Sequence, residues 1–262
     1  SSVGSRVVVR FMGDSLLRQA VVDLACALER EGPAAGVAVG VRTAWAPCEG
    51  EGRKGPWPCK GVANCIPCGP HSGAHTLDVD VGDAVQLKFH YSTAGDLGLR
   101  RHRRGEPRRK ARCGAFGDVL VVEAGTHGST LGLAASLVGT VRRLRKECPI
   151  GPRVVWMVTP PPAFRTATGA YEGAAAARGC AAESPEREAV AEWALMRGLS
   201  TREVFGVVGV EGMHRLGFAK VGKASPAPGA VADCQHYCMP GVPGGLSRAL
   251  AAMLVAAMSA PH

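Results

Sequence analysis

Ser15, Asp233 and His236 are the three side chains whose types, order and surroundings suit attack on an acyl carbon. Ser15 lies in Gly13-Asp14-Ser15-Leu16, after the β-branched run 7–9 and before Leu16, Leu17, Val21, Val22, Leu24 and Leu28, which are spaced as one helix face. This predicts a strand, a tight turn and a helix. A serine on such a turn carries its hydroxyl above the sheet and its own amide at the positive end of the helix, so nucleophile and oxyanion donor come from one residue. Gly13 is read as giving the turn its backbone freedom. The plainer reading is that Asp14 or Ser15 only caps an apolar helix, as Asp and Ser commonly do.

At the other end of the chain stands Asp233-Cys234-Gln235-His236-Tyr237-Cys238-Met239-Pro240-Gly241-Val242-Pro243. An aspartate three residues before a histidine, in a short turn, can accept the imidazole Nδ1 proton while Nε2 points outward as a general base. Cysteines on both sides of His236 suggest a fastened loop, and Pro240 and Pro243 stiffen its exit. The order Ser, Asp, His completes a triad.

These two motifs resemble those of the trichome-birefringence-like and PC-esterase group, a branch of the GDSL or SGNH hydrolase superfamily that includes polysaccharide O-acetyltransferases. The first motif includes Arg18-Gln19; the second is the Asp-Cys-x-His-aromatic-Cys-Met-Pro-Gly-Val-Pro form. Between them, residues 118–127 resemble the family's third strand and Asn-x-Gly turn, and 160–180 resemble its Pro-x-His-Phe to Gly-x-Cys stretch. Two positions depart from the pattern: Glu123 stands at the usual Asn and Ala163 at the usual His. An ionised carboxylate cannot donate the hydrogen bond an Asn amide would give an oxyanion.

The resemblance implies a catalytic Ser15–His236–Asp233 triad, with Gly125, Asp14, Arg18 and Glu123 as oxyanion or substrate candidates. It also implies that Cys180 bonds Cys234 and that Cys238 bonds a cysteine of the early loops. The expected partners are an acetyl donor as co-substrate and a polysaccharide or oligosaccharide acceptor. No other cofactor is expected. The expected location is the secretory pathway, foremost the Golgi lumen, with an extracellular alternative and any membrane anchor outside this chain. Arg18, one helical turn from Ser15, reads equally as a surface residue.

The elements that must position these groups follow from patterning. Strands are predicted at 37–41 (weakly), 85–91, 118–122, 153–158 and 204–208. Helices are predicted at about 129–146, with Arg and Lys gathered in its last turns, from 185 to about 196 behind a Ser184-Pro185-Glu186 start, and from about 244. Strands alternating with helices argue for an α/β fold, a three-layer sandwich whose mainly parallel sheet gathers its sites at the strands' carboxyl ends. The architecture implied is SGNH-hydrolase-like. A single domain is expected over 1–262, with a Cys-, Pro- and Gly-rich lobe at 32–84 and a basic loop insertion at 100–112.

Ten cysteines, an even count, point to disulfides and an oxidising compartment. The rival is zinc, since Cys65 and Cys68 form a C-x-x-C pair near Cys48, Cys59, His71 and His75. Only one such pair exists and the spacing fits no zinc ribbon, so no metal is expected. Trp45 and Trp57 could stack on sugar rings, but plugging a loop-rich lobe is the simpler role. Residues 100–112 carry +7 of the formal +9 charge. The basicity is therefore local, without aromatic interleaving, and nucleic acid is not expected as a partner. That run reads first as a solvated insertion, and otherwise as a patch for an anionic polysaccharide or for targeting. His127 and His214 read as structural or solvated. The longest apolar run, ten residues from 249 to 258, is short of the roughly 18 a membrane span needs.

Of three outcomes, the resemblance implies the first, transfer onto a cell-wall or matrix polysaccharide, with the other two as alternatives. The acyl-serine passes to a sugar hydroxyl (O-acetyltransferase) or to water (esterase), or the chain is a catalytically weak glycan-binding module.

Overall fold

A computed structural model describes residues 6–44, 76–91, 113–125, 130–160, 195–196, 198–209 and 241–260. Seven strands form one sheet: β1 (Val7–Gly13), β2 (Val39–Ala44), β3 (Thr76–Val81), β4 (Val85–Tyr91), β5 (Val119–Glu123), β6 (Arg153–Met157) and β7 (Gly206–Val208). Their spatial order is β2-β3-β4-β1-β5-β6-β7. β4, β1, β5, β6 and β7 run parallel, whereas β3 is antiparallel to both its neighbours. Three long helices, α1 (Ser15–Glu31), α2 (Thr130–Glu147) and α3 (Gly241–Ser259), cover it.

The period of two in the strands sorts their side chains into two cores. Val9 and Phe11 of β1, with Val119 and Val121 of β5, pack with Leu17, Val21 and Leu24 of α1 and with Leu246, Leu250 and Leu254 of α3. Leu120 and Val122 of β5, with Val154 and Trp156 of β6, pack on the other face against Leu137, Val141 and Leu144 of α2. Each core side chain withdrawn from water in this way contributes about 1.5–3 kcal/mol. The fold is therefore α/β with helices on both faces of a mixed, mostly parallel sheet.

Several expectations need correcting at their edges. The segment 32–84 is not loop throughout: β2 and β3 come from its two ends and are sheet strands, with a 3-10 turn at Pro33–Ala35. Thr76-Leu77-Asp78-Val79-Asp80-Val81 alternates polar and apolar residues, with Leu77 and Val79 buried, which is a half-buried strand. Because no helix lies between β3 and β4, the two pair antiparallel through a three-residue turn at 82–84. The weak strand at 37–41 begins two residues later, at Val39. Leu195 and Met196 are helical, and the rest of the helix expected at 185–196 lies outside the described residues, as do 45–75 of the Cys-rich segment and the whole basic run 100–112.

Asp80 ties this antiparallel extension together. It forms ion pairs with Arg6, ahead of β1, and with Arg42 of β2 at 2.6 Å, and accepts a 3.0 Å hydrogen bond from Gln86 of β4. Burial works to raise its carboxyl, but Arg42 and Arg6 outweigh that and hold it below its ordinary 3.8. A carboxyl depressed by folding contributes stability above its unfolded pKa and loses it as pH falls through the folded value. Asp80→Asn is therefore expected to cost less than about 1 kcal/mol of stability at pH 7, since ion pairs this close to solvent are weak, and to lower Tm accordingly. The gap to the parent should close below about pH 4, which thermal melts across pH 2–7 would read.

Cys113, just ahead of β5, is disulfide-bonded to Cys148, just after α2, and Cys26 of α1 is also in a disulfide. The bridge between Cys113 and Cys148 encloses β5 and α2. Cys180, Cys234 and Cys238 lie outside the described residues, so the pairings implied by resemblance stay as expectations. No described helix is long and apolar enough to cross a membrane.

Candidate active site

β1 and β5 are adjacent and parallel, yet the helices that follow them leave to opposite faces, α1 into one core and α2 into the other. The connections diverge above the carboxyl ends of these two strands. Open α/β sheets bind their ligands in the crevice formed at such a divergence. The two turns that meet there are Gly13-Asp14-Ser15 and Glu123-Ala124-Gly125.

The first turn is built as a helix start. Asp14 is the N-cap, with extended backbone, and its Oδ1 accepts a 2.8 Å hydrogen bond from the Leu16 amide; its carbonyl accepts from the Arg18 amide at 3.1 Å. Such a cap is worth about 1 kcal/mol, and its charge suits the helix dipole. Ser15 is the first helical residue, so its amide belongs to the positive end of α1, as expected. Asp14 and Ser15 are both fully buried.

The second turn comes from β5. Val119, Val121 and Glu123 share one face of the pleat, the face that meets α1, so a carboxylate ends a row of core valines. Glu123 is fully buried. Its Oε2 accepts hydrogen bonds from the amides of Asp14 (3.2 Å) and Leu17 (3.3 Å). Glu123 thus serves here as an acceptor, and these two donors flank Ser15.

Glycine is required at two positions for different reasons. Gly125 has φ +84°, a left-handed conformation other residues seldom adopt, and a Cβ there would stand 3.1 Å from Asp14 Oδ2. Gly13 does not have a positive φ, which corrects the expectation that it frees the backbone. It is required by proximity: a Cβ would lie 2.7 Å from Leu17 Cδ2 and 2.8 Å from Glu123 Oε2.

Ser15, Asp14, Glu123 and Gly125 are therefore brought together from positions more than a hundred residues apart. Arg18 is 1 % exposed, which removes its surface reading. Asp233, His236, His127, His214 and Ala163 lie outside the described residues. Sequence reasoning missed Glu123 as a partner of the Ser15 turn. The signal was the period of two, since β5 extends one residue further than the predicted 118–122 and places position 123 on the α1 side. Gln19, part of the first motif, and Thr159, which sequence reasoning did not single out, are both 1 % exposed and join the buried polar set.

The fold and site define an α/β protein with a serine on a strand–turn–helix at the divergence of a mostly parallel sheet. Compared with known proteins, the chain matches no family model, and no curated protein is significantly similar to it.

Proposed function

We propose that this chain is a polysaccharide O-acetyltransferase of the trichome-birefringence-like and PC-esterase kind, working through an acetyl-serine. The observation that carries the reading is the placement of Ser15 at the N-terminus of α1, above the divergence of β1 and β5, with the Gly125 turn packed against the neighbouring Asp14. The triad order in the sequence and the Asp233-Cys234-x-His236 motif add the base and its partner.

In the proposed reaction, His236 Nε2 takes the Ser15 hydroxyl proton as Oγ attacks the acetyl carbonyl. Backbone amides near Ser15 and Gly125 receive the negative charge on the carbonyl oxygen, and Asp233 steadies the imidazolium. The tetrahedral intermediate collapses, expelling the donor's oxygen, which leaves with the proton from His236. An acceptor sugar hydroxyl then gives its proton to His236 and attacks the acetyl carbon, and Ser15 leaves and recovers a proton. The bridge between Cys113 and Cys148 supports a secretory-pathway setting, since such bonds persist in oxidising compartments.

The test supplies an activated acetyl ester with and without a polysaccharide-derived oligosaccharide. Acetylated oligosaccharide is the expected product, at the expense of free acetate. Free acetate alone, indifferent to acceptor, would make the chain an esterase and overturn the transfer reading.

A further inference from the structure

Two amides that flank Ser15 in the chain share one acceptor atom, and that atom belongs to another strand. Asp14 N–H at 3.2 Å and Leu17 N–H at 3.3 Å both point to Glu123 Oε2. The carboxylate is fully buried, and Gly13 leaves only the space it needs, because a Cβ there would stand 2.8 Å from the same oxygen. Neither bond belongs to the α1 ladder, and a backbone donor left unmatched in such a setting is disfavoured.

We infer that Glu123 is a positioning residue for Ser15, holding the nucleophile's turn in register with β5 by accepting from both sides of it. Its importance for catalysis rests on the acyl-transfer reading; the clamp itself does not. In this assignment Glu123 acts through the Ser15 turn rather than on the reacting atoms. What the clamp needs is an oxygen acceptor at this place, which a glutamine amide also provides and an alanine does not. The position that resembles a family asparagine is thus used as an acceptor toward the nucleophile's own turn.

The experiment compares the full chain with Glu123→Gln and Glu123→Ala in two arms. In the first, hydrogen exchange is read at Asp14 and Leu17, with Val22 and Leu24 in the middle of α1 as internal controls. In the second, Ser15 labelling by a fluorophosphonate probe is followed at saturating probe and at half-saturation. Glu123→Ala is expected to speed exchange at Asp14 and Leu17 by at least about tenfold over the controls. It should also slow saturated labelling by at least about tenfold, with the half-saturating concentration unchanged. Glu123→Gln is expected to stay within about threefold of the parent in both arms. Exchange that rises equally along all of α1, Ala labelling at the parent rate, or equal losses in Gln and Ala would each overturn the assignment. If the parent chain is not labelled at all, the acyl-transfer reading fails, and the exchange arm decides the clamp by itself.

Discussion

Ser15→Ala is expected to abolish acetyl transfer, by about 10⁴-fold or more, while leaving the fold intact. Loss of a covalent nucleophile removes a whole reaction path, and enzymes that work through a triad lose rate on this scale when the serine is removed. The fold should tolerate the change because the start of α1 does not depend on the hydroxyl. Asp14 caps the helix through Leu16, and the Asp14 carbonyl takes the Arg18 amide. Alanine also favours a helix more than serine does. Product formation from an activated acetyl ester would be measured beside a thermal melt: activity at background with Tm within a few degrees of the parent is the expected pair. Residual transfer within tenfold of the parent would place the nucleophile elsewhere.

Gly13→Ala is expected to damage stability and activity together. The new Cβ would lie 2.7 Å from Leu17 Cδ2, 2.8 Å from Glu123 Oε2 and 3.0 Å from Glu123 Cβ. Leu17 and Glu123 are fully buried, so neither can swing into solvent to make room. The turn must shift, at about 1–3 kcal/mol for the overpacking. A displacement of this kind beside the proposed nucleophile is expected to cost about a hundredfold in rate. The control is Gly139→Ala on α2, where a Cβ would meet nothing within 4 Å and the position is exposed. There alanine should stabilise by about 0.5–1 kcal/mol and leave the rate alone. Similar effects at the two positions would contradict the close approach at Gly13.

The part of the fold nearest the site was legible because it is encoded locally. The run 7–9 and the apolar spacing from Leu16 to Leu28 predict β1 and α1, and both are present. The strands at 85–91, 118–122 and 153–158 and the helix at 129–146 were legible for the same reason, each to within a residue or so at its ends. β3 was not, since its pattern is short and sits beside a Cys- and Gly-rich stretch whose composition suggests loop. Its pairing depends on distant partners, with Asp78 opposite Arg42 on one side and Lys88 on the other. Nothing local reports such pairing. The antiparallel arm followed from what the sequence lacks, a helix between β3 and β4, rather than from what it contains.

The site was half legible. Ser15 and Gly125 carry signals in their own neighbourhoods, a helix start and a strand followed by glycine. The role of Glu123 does not, because a carboxylate reads as a poor oxyanion donor until the geometry shows which amides it accepts from. Arg18 illustrates the same point: its spacing along α1 leaves burial undecided, and only the folded chain shows it buried.

Whether Ser15 is the nucleophile, as proposed, and whether it depends on His236, can be read in one measurement. The full chain is treated with a fluorophosphonate probe, digested and mapped by mass spectrometry, in parallel with His236→Ala. Acyl transfer by a serine activated across the length of the chain predicts a single adduct on Ser15 that all but disappears in His236→Ala. An adduct on another residue, or one on Ser15 that forms at the same rate without His236, would contradict it.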